Sequence, residues 1–554
     1  MHNTDKTHWL LGIIGILGFM IIWVVTLRMG QGITFDSLVY FGVSKSLLAG
    51  NGYSFLEVLY TDQPPLYPTL LALLDLGGLD PIDASALLNS TSFALILFFS
   101  GKWLYRATRS GPVALAGSAI LLVSVPLLRL FFMAWTEPLF IALIILSLFQ
   151  LDQFLREDRQ RYLVGSGILV SLACLTRYVG VAAVGAGLLT LLLRRHSSNT
   201  QKLLTMFIFG WTAVLPTTIW LVRNFLVGGY VTAFSTTAPH TLTENLGYLF
   251  EVLSLWLLPL VVNPAVRLSG AVLVVGVLVS WFTLLIWQDR TDLTYRNFMP
   301  VLSFFFTYPA VMVYAATTVS LFPLDNRYVS PVYVPLVVLL CAAIHHTQAQ
   351  GSTHWRRRAL HSFFMAGLIL MVVNSLSEGF RNPTEGKGDP GTVFMRKFDV
   401  EDSTQIFFDS GLALARQGRN FEAFVWYTHA LELSPDSYDA HNNLGLALVE
   451  LGARDRALRH FNSALEIDPD RVEAYTNIGL FLLKDGRLDE AVEFFSVVIE
   501  GRPDQVQAYA SLGSILEAQG NTQEAIRIYR QALERRPDYE PVRKSLNRLL
   551  SSEN

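Results

Sequence analysis

The chain has 554 residues, 52% hydrophobic and only 16% charged, with a formal net charge of -3. That average is too apolar for one water-soluble globule and too polar for a chain lying wholly in lipid, so the sequence divides between two solvents. The balanced charge, with no basic block larger than residues 356–358, excludes a nucleic-acid-binding surface as the main purpose.

Residues 1–30, MHNTDKTHWLLGIIGILGFMIIWVVTLRMG, hold an apolar stretch of about 20 residues without a small-residue cleavage site. They predict a retained membrane helix over 9–28. Further bilayer-length runs follow at 84–105, 112–130, 134–154, 204–226, 267–287, 296–318, 329–347 and 359–376. The apolar run 162–193 reads by length as one tilted helix or as two short ones hinged at residues 176–178, and two helices make the total eleven. With the N-terminus inside, fourteen Lys and Arg then fall in inner loops against seven in outer ones, as the positive-inside rule requires; one long helix would reverse every later loop. The two cysteines, Cys174 and Cys341, lie in apolar runs and suggest neither a disulfide nor a metal site.

This topology gathers Asp36, Glu137, Arg177, Arg223 and Arg327 at the outer face, where ionisable groups at span edges tend to mark a site. The long outer loops are 29–83 and 227–266, and 243–263 reads as a helix lying in the interface. Asp36 has two compatible readings: an N-cap for an amphipathic surface helix over 37–49, or a general base that takes a proton from an acceptor hydroxyl. "GNGYS" and "DQPPLYP" then supply turns that return the chain to the membrane. Arg223 and Arg327 read equally as cations snorkelling to headgroups. Arg177, in LACLTRYVGVAAV, is flanked by apolar residues on both sides and requires an anion, for which a phosphate is the natural candidate in a membrane site. Glu137, followed by Pro138, reads as a first-turn acid favoured by the helix dipole.

After the linker 377–403 the composition becomes that of a soluble protein, and a period of 34 appears in Pro435, Pro469, Pro503 and Pro537. Gly411, Gly445, Gly479 and Gly513 keep the same period, as do Ala423, Ala457, Ala491 and Ala525, and the rings of Tyr427, Phe461, Phe495 and Tyr529. The pattern resembles the tetratricopeptide repeat, in which small residues let two antiparallel helices approach. The predicted fold is therefore all-α: a polytopic membrane domain over 1–376, the linker, and a four-repeat solenoid over 404–554 closed by a cap helix. The solenoid suits a protein partner or acceptor, or serves as a spacer or dimerisation arm.

The first loop also carries Asp36, Tyr40, Gly50, Gly52, Tyr53, Pro64, Pro65, Tyr67 and Pro68 in that order. With LTRYVG at Arg177 and Tyr178, WLVRNFLVGG at Trp220, Arg223 and Asn224, and DNRYVSPVYVP at Asp325, Arg327, Tyr328 and Pro331, residues 9–376 resemble the GT-C class of membrane glycosyltransferases. The pattern is similar to protein O-mannosyltransferases and the bacterial aminoarabinose transferase. That resemblance implies transfer of a sugar from a polyprenyl-phosphate donor to a protein, lipid or glycan acceptor at the extracytoplasmic face of a bacterial inner membrane, with the repeat domain on that side. It implies Asp36 as base and Tyr40, Tyr53, Tyr67, Glu137, Arg177, Tyr178, Arg223, Asn224, Arg327 and Tyr328 as substrate-binding residues. The class's mannosyltransferases have Asp-Glu in this loop, whereas Ser37 follows Asp36 here, so sugar and acceptor do not carry over. No acidic triad at metal-ligand spacing is visible, which leaves a divalent metal open rather than indicated. The competing reading is a non-catalytic scaffold that assembles envelope proteins through its repeats; a transporter fits less well, since no internal symmetry or mid-bilayer polar break is visible.

Overall fold

The computed structural model describes residues 2–29, 31–55, 58–59, 63–194, 197–228, 241–257, 263–288, 292–318, 326–349, 361–372, 393–395 and 400–552. Two compact units emerge: Met1–Gly386 with Phe394–Arg396, and Lys387–Val393 with Lys397–Asn554.

The membrane unit begins with α1 (His2–Met29), strand β1 (Gln31–Ile33) and α2 (Phe35–Leu48), then a two-stranded hairpin of β2 (Ser54–Phe55) and β3 (Val58–Leu59). It continues through α3 (Leu66–Leu76), α4 (Pro81–Thr108), α5 (Gly111–Leu122), α6 (Val125–Phe131), α7 (Glu137–Glu157), α8 (Gln160–Thr176) and α9 (Val181–Leu192). After these come α10 (Asn199–Gly228), α11 (Leu242–Leu257), α12 (Pro264–Gln288), α13 (Asp292–Thr318), α14 (Asn326–Val329), α15 (Tyr333–Ala349), α16 (His361–Val372) and strand β4 (Val393–Met395), which pairs with β1.

By length and apolar composition, five described helices can cross a bilayer, in α1, α4, α7, α10 and α13, or six if α5 and α6, bent by 58°, form one span. That is fewer than the eleven expected, because α9, α15, α16 and the apolar part of α12 are shorter apolar helices. The run 162–193 does break as the loop charges required: α8 stops at Thr176, Arg177 is extended at φ -150°, and a 3-10 turn over Tyr178–Gly180 leads into α9. Gly180 permits the fold-back, since a Cβ there would stand 2.7 Å from the backbone nitrogen of Cys174.

Burial grades from centre to rim. The apolar stretch of α7 is 78% buried, enclosed by α4, α8 and α13, whereas that of α10 is 17% buried and exposes Phe207, Trp211, Ile219 and Phe225. A helix with an exposed apolar flank is stable only in an apolar solvent, and the chain is a membrane protein on this ground.

Two expectations for the first loop change. The N-cap of α2 is Thr34, not Asp36; the Thr34 N–H donates to Ser37 Oγ at 3.1 Å, and Asp36 sits in the first turn. Nor is α2 a surface helix along its whole length: Leu38 to Phe41, Val43, Ser37 and Ser44 are all buried, so Ser37 and Ser44 face protein rather than water, while Lys45 is exposed. The turn after it is as expected, with Gly50 and Gly52 both left-handed at φ +78° and +73°. The helix expected in the interface, α11, buries Leu249, Val252, Leu253 and Trp256, packs on α12 and α13, and sets Trp256 edge-on to Tyr333 of α15.

The second unit is built of α17 (Val400–Arg416), α18 (Asn420–Leu433), α19 (Tyr438–Glu450), α20 (Arg454–Ile467), α21 (Val472–Lys484), α22 (Leu488–Gly501), α23 (Val506–Ala518), α24 (Thr522–Arg535) and α25 (Glu540–Ser552). Successive pairs form four helical hairpins, and α25 covers α24 with Val542, Leu546 and Leu549 while turning its charged side outward. The periodic glycines meet the periodic rings: a Cβ at Gly445 would stand 2.5 Å from Phe461, and one at Gly513 would stand 2.3 Å from Tyr529. A second glycine series, Gly418, Gly452, Gly486 and Gly520, turns each hairpin at φ between +74° and +78°. Gly445→Val should therefore destabilise the repeat unit by about 1–3 kcal/mol through overpacking; thermal unfolding followed by circular dichroism checks this, and an unchanged melting temperature contradicts it.

Candidate functional site

The site is assembled where the first loop meets the start of α7. Ahead of α7 the chain runs beside β1: Gly32 N donates to Phe132 O and Ala134 N to Gly32 O, both at 2.9 Å. Ser37 Oγ donates to Ala134 O at 2.9 Å, and Trp135 Nε1 donates to Thr34 Oγ1 at 2.9 Å. From α4, the Asn89 amide donates to the carbonyls of Phe131 and Met133, at 3.0 and 2.7 Å. These bonds satisfy irregular backbone that would be costly to bury unpaired, and they fix the first turns of α2 and α7 against each other. Asp36, second in α2, is part-exposed; Glu137, first in α7, is 1% exposed.

Glu137 forms an ion pair with Arg177, which is 14% exposed. Arg177 Nη1 also donates to Thr136 Oγ1 at 3.1 Å, and its guanidinium lies 5.7 Å from the ring centroid of Tyr328. The Tyr328 carbonyl accepts from the Tyr308 hydroxyl at 3.0 Å, which joins α13 to the cluster. The extended Arg177 at the α8–α9 break is what lets its side chain reach the N-terminus of α7. Glu137 thus supplies an anion of the kind Arg177 required.

A second group of predicted residues forms an aromatic wall. Tyr40 of α2 meets Tyr67 of α3 edge-to-face at 5.3 Å, and Tyr53 meets Trp220 of α10 in the same manner at 4.9 Å. Trp220 Nε1 donates to the Tyr178 hydroxyl at 3.2 Å, tying α10 to the α8–α9 turn. The Tyr53 hydroxyl donates to Pro64 O at 3.0 Å, and burial holds it well above the usual phenol range, so it stays a neutral donor. Tyr40 reaches Gln63 Oε1 at 3.4 Å. Arg223 lies 4.9 Å over the Trp220 ring and donates to the buried Asn224 Oδ1 at 3.1 Å. It forms no ion pair among the described residues, in contrast to Arg177.

The predicted residues therefore meet in two linked sets, Glu137–Arg177–Tyr328 and Tyr40–Tyr67 with Tyr53–Trp220–Tyr178–Arg223. The Arg327 side chain and Asp325 lie outside the described residues. Sequence reasoning missed Thr34, Trp135, Thr136 and Tyr308. The polar trio in AWTEP was a usable signal, because a tryptophan and a threonine just ahead of a helix start seek partners; nothing local marked Tyr308.

Residues 62–220 match the family model described as dolichyl-phosphate-mannose-protein mannosyltransferase. That stretch is a domain of this glycosyltransferase family. The domain contains Tyr67, Glu137, Arg177, Tyr178 and Trp220, begins after Asp36 and ends just before Arg223, a narrower span than the resemblance over 9–376. Models described as tetratricopeptide repeat match 411–452, 438–471 and 470–538, so the C-terminal solenoid is built of tetratricopeptide repeats. No curated protein matches the chain. Similar solved structures include MamA from Desulfovibrio magneticus RS-1, 20% identical over 28% of this chain and 87% of that one with a TM-score of 0.26. PilF of Pseudomonas aeruginosa is 22% identical over 28% and 70%, with a TM-score of 0.27.

Removing one member of a buried ion pair leaves the other charge uncompensated at a cost of about 3–5 kcal/mol. Arg177→Ala should accordingly destabilise the membrane unit by that order, and Glu137→Gln combined with Arg177→Met should recover a large part of it. Thermal unfolding in detergent provides the test; equal loss in single and double variants contradicts the pairing as a stabilising unit.

Proposed function

We propose that the chain is a glycosyltransferase that moves a hexosyl or pentosyl unit from a polyprenyl-phosphate donor to a protein, lipid or glycan acceptor at the extracytoplasmic membrane face. The observation that carries this reading is the joining of a mannosyltransferase-family domain to a first loop whose carboxylate, Asp36, is part-exposed beside the start of α7. Glu137 is committed to Arg177, which makes it a fixed part of the scaffold. Asp36 is the better base, since a base must reach the acceptor proton.

In this reading Asp36 takes the proton of the acceptor hydroxyl as its oxygen bonds to the anomeric carbon. The bond from that carbon to the donor phosphate oxygen breaks, and polyprenyl phosphate departs with the electron pair. Charge grows on the leaving phosphate, where Arg223, which forms no ion pair among the described residues, supplies compensation, with Arg327 as a further candidate cation. Arg177 holds Glu137 and the Tyr328 ring in place and, as first expected, is a candidate for contact with the donor phosphate. Tyr40, Tyr53, Tyr67 and Tyr178 line the approach, with Asn224 fixing Arg223.

The pairing of β4 with β1 supports an odd number of crossings, because a backbone ladder cannot form across a bilayer and the linker strand then shares a face with the first loop. An extracytoplasmic repeat arm is suited to presenting a protein partner or acceptor.

With polyprenyl-phosphate sugars as donors, Asp36→Asn should lower kcat by about 10²–10⁴-fold with little change in donor KM, while Arg223→Ala should lower kcat by about 10²-fold. Turnover of Asp36→Asn equal to wild type rules out the base. A periplasmic-active reporter fused after residue 554 should be active; a reporter active only in the cytosol overturns the orientation.

A further inference from the structure

The repeats contain an internal comparison. At one position of the first helix and one of the second, separated from their counterparts by the period of 34, two rings meet in each of the first three hairpins. Phe407 meets Trp426 at 5.4 Å, and Tyr475 meets Phe494 at 6.1 Å. In the hairpin between them the two positions are His441 and His460, with ring centroids 5.2 Å apart. Packing alone is served by rings without a basic nitrogen, as the flanking hairpins show, and partly burying two imidazoles carries a desolvation penalty that rings such as Phe avoid.

The orientation of the two rings is also specific. His441 and His460 bring Nδ1 to Nδ1 at 3.0 Å. His441 Nε2 lies 3.0 Å from the Pro435 carbonyl. A carbonyl only accepts, so Nε2 carries the hydrogen and the lone pair of His441 is on Nδ1, facing His460. This is the outer-shell arrangement that fixes the tautomer and orientation of metal-binding histidines. Two imidazole nitrogens at cis positions, each about 2.0–2.1 Å from one metal, stand roughly 3 Å apart.

We propose that His441 and His460 form a two-imidazole binding site for a divalent metal of the zinc, nickel or copper class. Imidazole nitrogen suits these ions and not magnesium or calcium. The rest of the coordination sphere opens onto a cavity of about 340 Å³ lined also by Phe424, Thr428, Leu431, Leu444 and Arg456. No cluster of three His, Cys, Asp or Glu side chains occurs among the described residues, so the protein supplies two ligands here. Arg456 makes no ion pair among the described residues, and its charge favours an anionic co-ligand, a carboxylate or chloride, beside the metal. The site is independent of the glycosyl-transfer reading.

The test uses the full-length protein in detergent, stripped of metal and titrated with Cu²⁺ in competition with a chromophoric chelator. Wild type should bind one equivalent that His441→Phe and His460→Phe each lose by at least about tenfold in affinity, the scale of losing support at a metal site. Each variant puts a phenyl ring at a position that an aromatic ring fills in the flanking hairpins, and circular dichroism verifies its fold. Electron paramagnetic resonance of the wild-type copper complex should show coupling to two imidazole nitrogens; this readout decides the matter even if a variant misfolds. Equal affinity in wild type and a folded His460→Phe, or a copper spectrum without imidazole coupling, overturns the site.

Discussion

The buried ion pair between Glu137 and Arg177 is the constraint on which the membrane unit's site depends. A carboxylate and a guanidinium removed from water are tolerable only together and only with their remaining hydrogen-bonding capacity met. Meeting that condition requires α8 to break at Thr176, the turn at Gly180 to fold the chain back, and Thr136 to face the guanidinium. Three helices and a turn are thus held in one arrangement by the demands of two charges.

Around that pair, polar contacts concentrate where the backbone is irregular. The segment ahead of α7 has no helix of its own to satisfy it, so β1, Ser37, Trp135 and Asn89 do so instead. The same bonds that neutralise backbone groups align the carboxylate-bearing first turn of α2 with the start of α7. Away from the site the membrane unit is held by apolar packing and small residues; a Cβ at Gly18 of α1 would stand 2.4 Å from Leu97 of α4. The membrane unit is thus an apolar frame with one hydrogen-bonded end.

The repeat unit obeys a different rule. Each hairpin contacts mainly its neighbours, and each glycine answers one ring, so the unit is close to a one-dimensional stack. Within such a stack one hairpin can change its ring pair to histidines without disturbing the register, because the glycine, alanine and proline positions that set the geometry are untouched. Repetition makes departures visible: the histidine pair stands out only against the Phe–Trp and Tyr–Phe pairs beside it.

The sequence by itself determined the division into membrane and soluble parts, the 34-residue period with its glycine-on-ring contacts, the break at Arg177 and the left-handed turn at Gly50 and Gly52. These follow from local chemistry: apolar length, spacing and the backbone freedom of glycine act over a few residues or one helical repeat. The tertiary structure alone decided which charge answers which. Arg177 announced in the sequence that it needed an anion, but Glu137 is forty residues away and became its partner only through the packing of α7 against α8. It likewise moved the cap of α2 from Asp36 to Thr34, because the chosen cap depends on where Ser37 and Trp135 find partners, and it buried Ser37 and Ser44 of a helix whose serines suggested water. A polar side chain is satisfied equally by solvent or by a distant carbonyl, and no local pattern distinguishes the two; only the packed chain does.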